Sequence, residues 1–81
     1  MEFTEQSIET FNLYQDTFLT KDMTFEEAID VIEQCDNNYF YVSMNKNDVI
    51  EAYENEKDIA EQLELDPVYI TELGIYILLQ P

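Results

Sequence analysis

Histidine, arginine and tryptophan are missing from this chain of 81 residues, and glycine and cysteine each occur once. Without histidine, and with Cys35 as the sole thiol, the usual zinc ligand sets cannot be assembled. The same lack leaves Cys35 without a base to make it a nucleophile, so it reads as a small core or helix-end residue. A single cysteine excludes an internal disulfide and fits a reducing compartment. One glycine and no arginine leave no loop to cradle a phosphate. No apolar run approaches the roughly 18 residues of a membrane span, and "MEFTEQSIETF" has neither the basic start nor the apolar stretch of a secretory signal. The expectation is a soluble, cytoplasmic protein that makes no direct use of a membrane.

Apolar residues make up 46% of the chain, with five Phe and six Tyr among them, enough for a compact core. The length suits one domain, residues 1–81. Charge is the other abundance. Nineteen Asp and Glu stand against three Lys, a formal charge of -16. The chain is rich in Ile, Asn, Tyr and Phe, whose AT-rich codons ordinarily bring lysine with them, so the scarcity of lysine points to selection against positive charge. Adaptation to high salt would also give such a balance, but the many large aliphatic and aromatic residues fit it poorly. Self-repulsion destabilises a compact state whose net stability is only about 5–15 kcal/mol. Charge kept despite that cost calls for a use.

Periodicity predicts an α+β fold, with three to four helices on a small antiparallel sheet. Ile8, Phe11, Tyr14 and Phe18 form a helical stripe in residues 4–19, with Thr4 as its cap. In "TFEEAIDVIEQC", Thr24 and Glu27 make a capping box ahead of an apolar face of Phe25, Ala28, Ile29 and Ile32, and "DNN" at 36–38 ends the helix. "YFYVSM", residues 39–44, is a strand with Tyr39, Tyr41 and Ser43 on one side and Phe40, Val42 and Met44 on the other. Residues 46–64 are helical, either continuous or broken near Asn55. Residues 67–73 have two readings. Asp66, Pro67 and Gly74 frame a short helix, whereas "VYIT" and "ELG" describe a strand and a hairpin loop, giving a third strand at 68–71. "IYILL", residues 75–79, is a strand in either case.

Most chemistry-bearing motifs are absent from the sequence. No carboxylate among the nineteen is singled out for acid–base work, so the chain reads as a non-enzyme with no cofactor. "NKNDVIEAYENE" lacks the invariant glycine of an EF-hand loop and has Val49 at a ligand position. Ala60, Leu63, Leu65, Ile70 and Leu73 resemble helix-turn-helix spacing, but Glu64 stands at the usual turn glycine and "DPVYITEL" is no basic recognition helix. Phosphate contacts come from Lys and Arg, so no direct binding of nucleic acid is expected.

The acidic rows remain. "NDVIEAYENEKDIAEQLELD", residues 47–66, holds eight carboxylates against Lys57. On a continuous helix Glu51, Glu54, Asp58 and Glu61 share one face, about 5–6 Å apart at Cβ, and Asp48 extends the row. Glu26, Asp30 and Glu33 repeat the arrangement on the preceding helix. A solvated face is the ordinary meaning of a charge run, yet mixed signs are the ordinary route to solubility. Rows at this pitch approximate a nucleic-acid backbone, and Tyr53 and Tyr69 beside them are candidate anchors.

In size, charge and lack of catalytic residues the chain resembles phage-encoded acidic inhibitors that mimic DNA or block a nucleic-acid channel: anti-CRISPR proteins, anti-restriction proteins and uracil-DNA glycosylase inhibitors. The resemblance is one of composition over the whole chain and carries no motif. It implies a basic nucleic-acid-binding partner, such as a CRISPR nuclease or another defence or repair enzyme, inside a bacterial cell. An immunity protein or antitoxin against a basic nuclease, and a small structural protein whose acidity only serves solubility, are the alternatives. Monomer and homodimer are both compatible.

Overall fold

The computed structural model describes residues 1–35 and 38–80. Strand β1 (Thr4–Gln6) leads into α1 (Ile8–Gln15) and α2 (Phe25–Gln34). Strand β2 (Tyr39–Ser43), helices α3 (Lys46–Asn55) and α4 (Lys57–Leu63), and strands β3 (Asp66–Ile70) and β4 (Ile75–Leu79) follow. The strands form one sheet in the order β1-β3-β4-β2.

The fold is α+β, with a mixed sheet in place of the expected antiparallel one. Three residues expected in the first helix, Thr4 to Gln6, instead pair in parallel with Val68 to Ile70. Helix α1 therefore starts after Ser7, whose extended backbone and Oγ, accepting from the Thr10 N–H at 3.1 Å, make it the cap in place of Thr4. Glu72 in the β3–β4 turn adds a carboxylate that accepts from the Ile8 N–H, the right sign of charge at a helix N-terminus. The helix ends at Asp16 in the left-handed region (φ 52°), where the Thr17 N–H reaches back to the Asn12 carbonyl at 3.2 Å. The expected stripe is cut in half: Ile8 and Phe11 are buried, but Tyr14 and Phe18 are exposed.

Helix α2 keeps its predicted capping box, Thr24 N–H to Glu27 Oε1 at 3.0 Å and Glu27 N–H to Thr24 Oγ1 at 3.2 Å. Cys35 is its half-buried C-cap. Of the "DNN" stretch read as its terminator, Asp36 and Asn37 lie outside the described residues.

Both open choices resolve. Residues 46–64 are two helices, and residues 66–70 are a strand that turns back through Gly74, whose φ of 66° suits a residue without Cβ. The Gly74 N–H closes the turn on the Ile70 carbonyl at 2.9 Å. A strand at this position also removes the second helix of a helix-turn-helix, and residues 45–55 form a cap and helix where an EF-hand would need a loop.

Side-chain alternation divides the sheet into two covered faces. Val68, Ile70, Ile75, Ile77 and Leu79 point to one side and join Ile8, Phe11, Leu19, Ala28 and Ile32 of the α1–α2 layer in the main core. Pro67, Tyr69, Tyr76 and Leu78 point to the other, where α3 packs against β2 and β4. A register shift between Tyr39 and Tyr41 corrects the expected β2 pattern, because the extra residue puts Tyr39 and Val42 together on the main-core face.

Candidate functional site

Every Asp and Glu among the described residues is exposed. Exposure alone therefore ranks none of them, and position on the helices does. Each helix carries a carboxylate in its first turn: Glu9 in α1, Glu26 and Glu27 in α2, Asp48 in α3 and Asp58 in α4. There the helix dipole favours negative charge. The Thr24 backbone N–H, and then the Thr24 hydroxyl, hold the Glu27 carboxyl below the usual range. These acids have a reason in the fold.

Glu33, Glu54 and Glu61 do not share it. Each sits in the last turn of its helix, at the negative end of the dipole, and none of the four helices has a basic residue in its last turn. Glu33 has a local partner, since the Tyr39 hydroxyl donates to its Oε1 at 2.8 Å. That hydrogen bond, followed by burial and the nearby negative charge, raises the Tyr39 phenol above its ordinary value. Glu54 and Glu61 are left as charges that the helices disfavour.

The break between α3 and α4 changes what the acidic row can be. Glu56 ends one helix and begins the next with φ -121° and ψ 35°, donating to the Tyr53 carbonyl at 3.2 Å and accepting from the Ala60 N–H at 2.8 Å. Its side chain makes no cap, and Asn55, the expected cap of the second helix, is the last residue of the first. Glu51, Glu54, Asp58 and Glu61 are consequently not one continuous ladder.

They divide among three shallow hollows. Asp48 and Glu51 line the first, with Tyr41, Ala52 and Asn55. Asp58 lies at the helix junction with Glu54 and the exposed Ile59. Glu54 and Glu61 border the third, whose lining also includes Glu2, a residue that sequence pattern assigned no role. Tyr53, Leu65, Pro67 and Leu78 supply the apolar lining of that hollow, and Lys57, which lines it too, offsets part of the charge.

The parallel pairing of β1 with β3 is what brings Glu2 here, because it carries the N-terminus across to Pro67. No pattern in three polar residues announces such a strand. Tyr53, expected as an anchor, is half-buried in this hollow; Tyr69 is half-buried elsewhere, stacked on Tyr76 at 4.3 Å between ring centres. Phe3 meets Tyr76 edge-on at 5.1 Å, with the Lys46 ammonium 6.0 Å from the Phe3 ring. That places Tyr69 in an aromatic cluster on the sheet, outside the lining of the hollow that holds Tyr53.

The α2 row of Glu26, Asp30 and Glu33 belongs to the layer on the opposite side of the sheet from α3 and α4. A flat partner surface cannot meet both rows at once. Among the described residues no three carboxylates, cysteines or histidines are grouped so as to hold a metal ion. The trio of Glu2, Glu54 and Glu61 around an apolar floor instead suits a cation with an alkyl stem, the form of a lysine or arginine side chain. No helix among the described residues is long and apolar enough to cross a membrane. Comparison with known proteins finds no matching family model, no matching curated protein and no matching solved structure.

Proposed function

We propose that this chain is a non-enzymatic inhibitor acting in the bacterial cytoplasm, which binds a basic nucleic-acid-binding protein through the α3–α4 surface and blocks access of nucleic acid. The observation that carries this reading is the convergence of Glu2, Glu54 and Glu61 on one hollow, two of them placed where their own helices disfavour them. Asp48, Glu51 and Asp58 enlarge the negative field on the same layer, and Tyr53 offers an aromatic surface for the partner's alkyl stems. Carboxylates so arranged occupy the Lys and Arg that otherwise hold phosphates, and the net charge of -16 accelerates encounter with a basic surface.

The test is a panel of purified basic enzymes, comprising a CRISPR effector, a restriction enzyme, a uracil-DNA glycosylase and a bacteriocin nuclease. Each is assayed for DNA binding with and without the protein. Inhibition of one or more, weakened when Glu2, Glu54 and Glu61 become Gln, supports the reading, and the inhibited enzyme separates a defence or repair target from an immunity partner. Tight binding of DNA by the protein itself, or inhibition indifferent to the three substitutions, counts against it.

A further inference from the structure

Away from the acidic hollow, the end of α1 presents three large apolar side chains to solvent: Leu13 at 79% exposure, Tyr14 at 72% and Phe18 at 72%. Phe18 stands between Thr17 and Leu19, which are both buried. Its outward placement is fixed by the backbone around it. The Thr17 N–H bonds to the Asn12 carbonyl, and the Asn12 side chain ties the loop twice more by accepting from the Thr17 hydroxyl at 2.6 Å and from the Leu19 N–H at 2.9 Å. Its amide also donates to the Leu19 carbonyl at 2.9 Å. A side chain held out by so many bonds loses little backbone freedom on docking, which is the condition for an efficient anchor.

The electrostatics favour a cationic occupant. Helix α1 ends here with its carbonyl dipoles and has no basic residue in its last turn, and Asp16 adds a negative charge at the cap. Within residues 9–22 the carboxylates of Glu9, Asp16 and Asp22 are set against Lys21 alone. A second copy of a chain carrying -16 would bring like charge to like charge. We infer that Leu13, Tyr14 and Phe18 form a preorganised docking surface for a cationic amphipathic helix of a partner protein, its apolar face against Phe18 and its lysines or arginines beside Asp16 and the end of α1. The surface is separate from the acidic hollow and does not depend on the function proposed for it.

The test titrates the isotopically labelled protein with a synthetic amphipathic leucine–lysine helix and, for comparison, with a lysine–serine peptide of equal charge, following backbone amide shifts. The leucine–lysine peptide is expected to shift the amides of residues 13–19 saturably, and to bind there about tenfold or more tightly than the lysine–serine peptide. Phe18→Ser should weaken that binding about tenfold with the remaining spectrum unchanged. Leu13→Ser, at the most exposed of the three, provides the same readout should Phe18→Ser disturb the loop. Equal binding of the two peptides, shifts confined to α3 and α4, or indifference to both substitutions overturns the inference. A concentration-dependent dimer abolished by Phe18→Ser overturns it too, by assigning the surface to a second copy.

Discussion

The two faces of the sheet are built from different materials. On the α1–α2 side, five strand residues and five residues of the helices and their connection interlock in a core that includes the fully buried Phe11, Ile32, Ile70, Ile75 and Ile77. On the α3–α4 side, Val49, Ala60 and Leu78 are buried, the helices are short and broken at Glu56, and carboxylates crowd their outer surface. Large apolar side chains on one face supply much of the stability, at about 1.5–3 kcal/mol for each fully buried one. The other face can then carry charges that its own helices disfavour. Buried apolar bulk is concentrated in one layer, while carboxylates are carried by both, seven in residues 8–34 and seven in residues 46–64.

The largest effect that would break this contrast is in the cores. Phe11→Ala should cost about 3–5 kcal/mol in chemical denaturation, while Val49→Ala on the acidic side should cost about 2 kcal/mol. Equal losses would mean that the layers share the load. A smaller effect should come from the α4 terminus, where Glu64 takes a left-handed backbone (φ 53°) and adds a carboxylate to the negative end of the helix. Glu64→Gly should raise stability by about 1 kcal/mol, since glycine adopts this conformation without a Cβ clash. A loss would show that the Glu64 side chain has a stabilising contact outweighing that strain.

The smallest effect belongs to the α2 side. The Glu27 carboxylate is held below its usual range in the capping box, so its contribution is present above about pH 4.5 and is lost as pH falls through the lowered folded value. Glu27→Gln, which keeps an acceptor for the Thr24 N–H but not the charge, should be less stable than the parent near neutrality and approach it below pH 4.5. Parallel stability curves down to acid pH would refute that assignment.

Legibility in the sequence followed the same division. Helix α2 could be read because its capping box and apolar face are local, and β4 because five consecutive apolar residues bounded by Gly74 admit little else. Strand β1 could not be read: Thr4, Glu5 and Gln6 have no strand pattern, and only pairing with β3, more than sixty residues on, makes them one. Without that strand the predicted helix starts too early, and without the Asp16 turn it ends too late, so its stripe joins the buried Ile8 and Phe11 to the exposed Tyr14 and Phe18. The acidic residues were legible as charge but not as a site. A continuous ladder needed a helix unbroken at Glu56, and the convergence of Glu2 with Glu54 and Glu61 depends on the unforeseen strand. Glu72 at the start of α1 is another contact that only tertiary structure creates.

Glu54 and Glu61 are held against the dipole preference of their helices, with Glu2 lining the same hollow, whereas the carboxylates of helix first turns are favoured by the fold. Thermal unfolding at low ionic strength tests this in one comparison of two triple variants. Glu2→Gln, Glu54→Gln and Glu61→Gln together should raise the melting temperature, by relief of repulsion and of the dipole conflict worth about 1 kcal/mol in total, with the gain shrinking in added salt. Glu9→Gln, Glu26→Gln and Asp48→Asn together remove as much charge but also three favourable dipole contacts, and should gain less or lose stability. If the first variant is destabilised, or gains no more than the second, the hollow's carboxylates are part of what holds the fold together and the account is wrong.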